Sequence, residues 1–149
     1  MRAVIQRVSQ ARVEVDNQVV GAIASGLVVL LSIHRDDTVK DMVWMVEKIQ
    51  HLRIFDDDQG FMNRSVVEVS GELLIVSQFT LHGDCRKGRR PSWTASAPPE
   101  LARQLYDDFI LACRQRGLAT QAGMFQAMME VSLTNSGPVT ILLDSHKTF

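Results

Sequence analysis

Gly26-Leu27-Val28-Val29-Leu30-Leu31 is an apolar run with no polar interruption. It is short enough for a strand and too short for a typical helix, and a strand of this kind is expected to be buried on both faces, in the middle of a sheet. The chain before it supplies partners. From Arg2 to Val8, and again from Arg12 to Val20, polar and apolar residues alternate, with Asp16-Asn17 as a short polar turn between Val15 and Val19. That pattern predicts a hairpin.

After the run, His34-Arg35-Asp36-Asp37-Thr38 breaks the pattern, and Val39, Met42, Val43, Val46 and Ile49 recur at helical spacing. Thr38 with Asp41 three residues later has the form of a capping box with the shorter acid. Asp56-Asp57-Asp58-Gln59-Gly60 has the composition of a calcium loop, but Phe61 stands where that loop needs glycine and Val67 where it needs glutamate. It is read as a turn between Ile54-Phe55 and the next strand pair. Gly71 turns the chain again, into a strand from Glu72 to Leu81. From Pro98 to Arg116 the helical pattern returns, with Leu101, Leu105, Phe109 and Ala112 on one face and Gly117 as the stop. Phe125, Ala127, Met129, Val131 and Leu133 then alternate with Gln126, Met128, Glu130, Ser132 and Thr134, which predicts a half-buried strand. The expected fold is a single domain over residues 1–149 of mixed α/β (α+β) class: a mixed, partly barrel-like sheet with two main helices packed on it.

Composition narrows the function classes. The 149 residues are 46% hydrophobic and 22% charged, with no apolar window long enough to cross a membrane. The opening residues alternate too quickly for a signal peptide, and Cys85 and Cys113 are far apart, so a reducing cytoplasm is the expected location and Cys113 is expected in the core. A net charge of −1 argues against broad nucleic-acid binding, DNA included, but leaves room for one basic patch. The histidines at 34, 51, 82 and 146 form no pair at metal-ligand spacing. Neither a metal nor a cofactor is expected.

Three stretches stand out chemically. In Ser77-Gln78-Phe79-Thr80-Leu81, polar side chains close an apolar strand; in extended form Gln78 and Thr80 share one face and Ser77 and Phe79 the other. These residues are either a strand end with satisfied hydroxyls or part of a site; His82 lies only two residues beyond Thr80, and spacing alone assigns no catalytic triad. Arg86-Lys87-Gly88-Arg89-Arg90-Pro91-Ser92-Trp93 places four cations within five residues, followed by an aromatic ring, and reads as a solvated loop or a phosphate-binding one. In Asn135-Ser136-Gly137-Pro138-Val139-Thr140, a proline interrupts what otherwise reads as strand, so Gly137-Pro138 is a turn, an edge or a bulge, and a candidate cis peptide.

Together with Met1-Arg2-Ala3-Val4-Ile5-Gln6-Arg7-Val8, these stretches make the chain resemble the bacterial D-aminoacyl-tRNA deacylases over nearly its whole length. It departs from the family pattern at Ser136, where aspartate is expected, and at Trp93, where phenylalanine is expected. The resemblance implies a homodimer in which Gly137-Pro138, as a cis peptide, enters the active site of the other subunit and excludes L side chains with main-chain atoms. It implies as substrate a tRNA carrying a D-amino acid, or glycine, including glycine mischarged on an alanine tRNA. The same resemblance implies catalysis assisted by the 2′-hydroxyl of the terminal ribose. Thr80 and Ser77 then bound or orient the site, Gln78 and Phe79 shape it, Phe125 and Met129 contact the terminal adenine, and Lys87, Arg89 and Arg90 bind tRNA. An older reading of the family makes Thr80 the nucleophile. The alternative from another class is a non-catalytic module that grips tRNA ends.

Overall fold

In the computed structural model, which describes residues 1–149, the apolar run is β3 (Gly26–Ser32). It pairs antiparallel with β1 (Arg2–Val15) from Arg2↔Ser32 to Val8↔Gly26. On its other side it pairs parallel with β6 (Glu72–Ser77) from Gly26↔Glu72 to Leu31↔Ser77. Gly26 is dictated by that second pairing, because a Cβ there would lie 2.0 Å from the Glu72 carbonyl oxygen. Alternate residues of the parallel pair serve different cores. Leu27, Val29, Leu31, Leu73 and Ile75 face the helices, while Val28, Leu74 and Val76 join Val8, Val13 and Ile23 in a second cluster. That is why β3 lacks the polar alternation of a one-sided strand.

The opening hairpin is longer than its sequence pattern suggests, since β1 runs unbroken through residues 9–11. Asp16 and Asn17, at φ 50° and 61°, turn it into β2 (Gln18–Ile23), as a two-residue hairpin turn requires. From Val13↔Gly21 through Ala11↔Ile23 to Val8↔Gly26 the register against β1 is continuous, so β2 and β3 act as two halves of one long partner strand, with a bulge only between Val13 and Glu14 near the hairpin turn. The other side of β1 carries β8 (Glu130–Asp144). The sheet order is β2-β1-β3-β6-β7, where β7 is Thr120–Ala122. The sheet curls until its ends approach, and a Cβ on Gly21 of β2 would sit 2.8 Å from the Ala122 oxygen of β7. The expected mixed, partly barrel-like sheet is therefore present.

Helix α1 (Val39–His51) opens with the expected capping box: Asp41 Oδ2 accepts from the Thr38 N–H at 2.9 Å and from its hydroxyl at 2.8 Å. Its buried stripe is Met42, Met45, Val46 and Ile49; Val39 and Val43, which the spacing places inside, are exposed at the helix flank. Helix α2 (Pro99–Gln115) buries Leu105, Tyr106, Phe109, Ile110 and Cys113. It ends in a Schellman motif, with Gly117 at φ 80°, its N–H on Arg114 O and the Leu118 N–H on Cys113 O. Neither helix is long and apolar enough to cross a membrane. The aspartate-rich stretch is a turn between β4 (Phe55–Asp56) and β5 (Met62–Arg64), where Asp57 accepts from Gln59 N–H, Phe61 N–H and the Asn63 amide.

Two predicted strands stop short. The one expected from Glu72 to Leu81 ends at Ser77, and Phe79–His82 forms a single 3-10 turn. The Gln78 N–H makes one last sheet bond, to Leu31 O at 2.8 Å, after which the Leu81 N–H turns back to Gln78 O. Residues 123–129 are likewise not strand: Gln126 has φ 63° and the Ala127 N–H bonds Met124 O, so β8 starts only at Glu130. Residues 125–129 all line a cavity from this irregular segment, so their apolar alternation does not mark a strand with one buried face.

Candidate active site

Parallel strands β3 and β6 end side by side, and a cavity of about 1020 Å³ opens beyond their carboxyl ends, the usual place for a site on such a pair. Ser77, Gln78 and Phe79 form one wall and Phe125 and Met129, from the irregular segment before β8, another. These five residues, separated by up to 52 positions in sequence, line one cavity. No ionisable side chain lines it.

The turn after β6 is held from behind. Phe79 O accepts from Ser32 Oγ at 3.3 Å and from Ser96 Oγ at 3.2 Å, and both serines border the cavity. Ser32 Oγ is also 2.6 Å from Nδ1 of His82. His82 is buried; that burial, reinforced by Arg2, the Met1 amino group and His34, holds its pKa down at about 4, with Asp144 opposing. The imidazole is therefore neutral at ordinary pH and can share a hydrogen bond with Ser32. Sequence reading missed Ser32, Ser96 and His82; the only signal was a serine closing the apolar run of β3.

Thr80 is exposed, outside the cavity wall, and its hydroxyl takes the side-chain amide of Gln78. Neither Thr80 nor Ser77 has its hydroxyl bonded to a carboxylate or an imidazole, so neither is activated as a nucleophile within this chain.

Beyond the turn, the Asp84 and Ser92 main chains exchange bonds of 2.9 Å and close the basic loop at its base. Trp93 follows at the cavity edge, its ring 5.3 Å from that of Phe79 and at 70° to it. Arg86 folds back onto Asp84 with contacts of 2.9 and 2.6 Å, which holds that carboxylate down at about 2. Lys87, Arg89 and Arg90 are exposed and make no ion pair. The loop thus offers three of its four cations to a partner.

Gly137-Pro138 is a bulge on an edge strand, which combines two of the alternatives open from sequence. The pairing of β8 with β1 shifts between Gln6↔Thr140, Val8↔Asn135 and Gln10↔Thr134, and the peptide bond is cis. Asn135 spans the bulge, its Nδ2 donating to Arg7 O at 3.0 Å and Val139 O at 2.9 Å. Arg7 Nε reaches Ser136 O at 3.3 Å. With φ at 116°, and with Arg7 Nη2 2.8 Å from where a Cβ would be, position 137 requires glycine. Gly137 and Pro138 are exposed on β8, whose second edge is unpaired, and they do not border the cavity of their own chain.

The histidines are less dispersed than their spacing implies. The rings of His34 and His82 lie 5.3 Å apart, those of His34 and His146 5.0 Å, and His146 approaches Asp37 and Asp41. Asp37 is the centre of the cluster: the Met1 amino group and His146 Nε2 share Oδ1, and the His34 N–H takes Oδ2 at 2.6 Å. These contacts make an internal clasp between the chain start, the turn before α1 and His146.

A family model described as D-Tyr-tRNA(Tyr) deacylase matches residues 4–144. A D-aminoacyl-tRNA deacylase of Thermosipho africanus is 58% identical over 149 residues, covering the whole of both chains. One from Thermus aquaticus is 57% identical over 145 residues, covering 97% of this chain and 95% of the relative. Among solved structures, a c-Myc DNA unwinding element binding protein aligns with a TM-score of 0.91 at 40% identity, over 97% of this chain and 98% of that one. A probable eukaryotic D-amino acid tRNA deacylase shares the fold, with a TM-score of 0.79 at 21% identity over 95% and 97% of the two chains. With two strand ends meeting at one cavity and a match that runs almost from end to end, the chain belongs to the D-Tyr-tRNA(Tyr) deacylase family, hydrolases that act on aminoacyl-tRNA.

Proposed function

We propose that the chain works as a homodimer that hydrolyses D-aminoacyl-tRNA and glycyl-tRNA in the cytoplasm and rejects L-aminoacyl esters by main-chain contact. The observation that carries this reading is a large cavity without a single ionisable side chain in its wall. Selection and catalysis there fall to backbone groups, hydroxyls, an amide and the substrate itself. The terminal adenine lies between Phe125 and Met129, and the ester reaches toward Ser77, Gln78 and Phe79. The Gly137-Pro138 bulge of a second subunit closes the cavity and leaves room for hydrogen but not for an L side chain at the α-carbon. Its exposure, the free edge of β8 and its separation from the cavity of its own chain support this arrangement.

Water attacks the ester carbonyl, the bond to the ribose 3′-oxygen breaks, and the products are free amino acid and a tRNA ending in a 3′-hydroxyl. The vicinal 2′-hydroxyl orients the water and relays its proton, while the protein contributes position and backbone donors. Thr80 and Ser77 orient the site; the Gln78 amide on the Thr80 hydroxyl favours this over a nucleophilic Thr80. Lys87, Arg89 and Arg90 hold the tRNA backbone.

The test is release of amino acid from D-Tyr-tRNA and L-Tyr-tRNA: fast release from the first and none from the second is expected, and equal rates on both would overturn the reading. The name of one structural relative, a DNA unwinding element binding protein, favours a second reading, nucleic-acid binding without hydrolysis. Release from neither ester, with tight binding indifferent to the aminoacyl group, would support that one.

A further inference from the structure

A second groove, of about 530 Å³, lies between α2 and the 123–129 segment, and it shares one residue, Phe125, with the cavity. We infer that this groove holds the nucleotide that precedes the terminal adenosine in the 3′ strand of the substrate. The inference rests on the deacylase reading above and adds to it the path by which the strand leaves the cavity.

Phe125 is a partition. Its ring is held with the Arg103 guanidinium 5.4 Å from its centroid and the Tyr106 ring 5.6 Å away, and both of those side chains line the second groove. Leu111 on α2 and Met124 on the facing segment, 53% and 50% exposed, form an apolar outer rim. Arg114 stands on the same stripe of α2 as Arg103, three turns further on. Opposing charge comes only from Asp107, which takes Arg103 Nε at 2.8 Å across an exposed pair. Arg114 spends its Nε and one terminal nitrogen on Thr120 O at 3.4 and 3.2 Å, which leaves guanidinium donors facing solvent. Exposed apolar surface flanked by planar cations is the combination that single-stranded nucleic acid uses, with bases stacking and phosphates on the forks.

Continuity selects this occupant. A terminal adenine between Phe125 and Met129 is bonded through its 5′-phosphate to a nucleotide that must pass the 123–129 segment, and the groove begins on the far side of the same ring. The competing exit runs past Trp93 to the basic loop, so the two paths make opposite predictions.

D-Tyrosyl esters of adenosine alone and of the trinucleotide CCA separate them. The unaltered protein should cleave the CCA ester at least ~10-fold more efficiently in kcat/KM, the size expected of one stacked base. Arg114→Gln and Met124→Ser should abolish that advantage and leave the adenosine ester unchanged, with Arg114→Lys retaining part of it. Equal losses on both esters, or an undiminished CCA advantage, would overturn the inference, and an advantage lost instead in Arg89→Gln would place the strand on the basic loop. Cleavage of neither ester by the unaltered protein would refute the deacylase reading. Binding of uncharged CCA against adenosine, measured by fluorescence with the same variants, then decides the groove without catalysis.

Discussion

The hydroxyl of Ser32 stands 2.6 Å from Nδ1 of His82, and both side chains are buried. Its second contact, 3.3 Å to Phe79 O, ties this pair to the turn that walls the cavity. Ser32→Ala leaves a buried imidazole nitrogen without a partner, which should cost about 1–3 kcal/mol in urea unfolding. Phe79 O keeps Ser96, so a lower kcat with unchanged KM is expected rather than loss of activity. A variant as stable and as active as the parent would show that the contact holds nothing in place.

The same imidazole makes stability depend on pH. In the unfolded chain His82 titrates near its ordinary 6.5, and in the folded chain near 4, so protons bind the unfolded state better between those values. Its contribution is fully present above pH 6.5 and is lost as pH falls toward 4, by roughly 3 kcal/mol in all. His34, lowered chiefly by burial and then by His146, acts in the same direction. Asp41 responds lower on the scale. Burial raises it, but the Thr38 N–H and hydroxyl hold it at about 2, so its contribution is lost between 3.8 and 2. Urea midpoints should therefore drop between pH 6.5 and 4.5, and a flat profile there would contradict the assignment to His82.

Thr80→Ala tests where the chemistry resides. With its hydroxyl on the Gln78 amide and no base beside it, Thr80 acts as a support, and the variant should keep D-Tyr-tRNA hydrolysis within ~10-fold. A fall of several orders of magnitude in single-turnover rate would restore the nucleophile.

Much of this site was legible as residue types and little of it as geometry. Periodicity located α1 and α2 because each buries a regular stripe, and an unbroken apolar run located β3 because that strand is buried on both faces. It failed at 78–81 and 123–129, where the backbone is irregular and consecutive side chains line the cavity. Gly137-Pro138 announced an interruption, but the bulge depends on Arg7 and Asn135 bonding across two strands 128 positions apart. Ser32 and Ser96 were invisible because their meaning lies in one shared carbonyl, and His82 because it reaches that carbonyl only through Ser32.

Gly26→Ala should be among the most damaging small substitutions. The new methyl would sit 2.0 Å from Glu72 O and 2.7 Å from Glu72 N, so β3 and β6 would have to separate at the start of their ladder. A loss of about 3 kcal/mol or more is expected, with the cavity at the far end of the pair loosened as well. Retention of the parent melting temperature would show that the parallel pair shifts without cost.

The basic loop should show a graded salt dependence. Arg86 is committed to Asp84 by two short contacts, so its fork is already filled, whereas Lys87, Arg89 and Arg90 make no ion pair. Phosphate contacts release counterions, and each one removed lowers the slope of log K against log salt by a little under 1. Substituting Lys87, Arg89 and Arg90 singly by Gln should therefore each reduce the slope for tRNA binding, while Arg86→Gln changes it little and frees the Asp84 carboxylate. A slope that falls as far for Arg86→Gln as for the others would mean that the Asp84 pair opens when tRNA binds, and that all four cations reach phosphate.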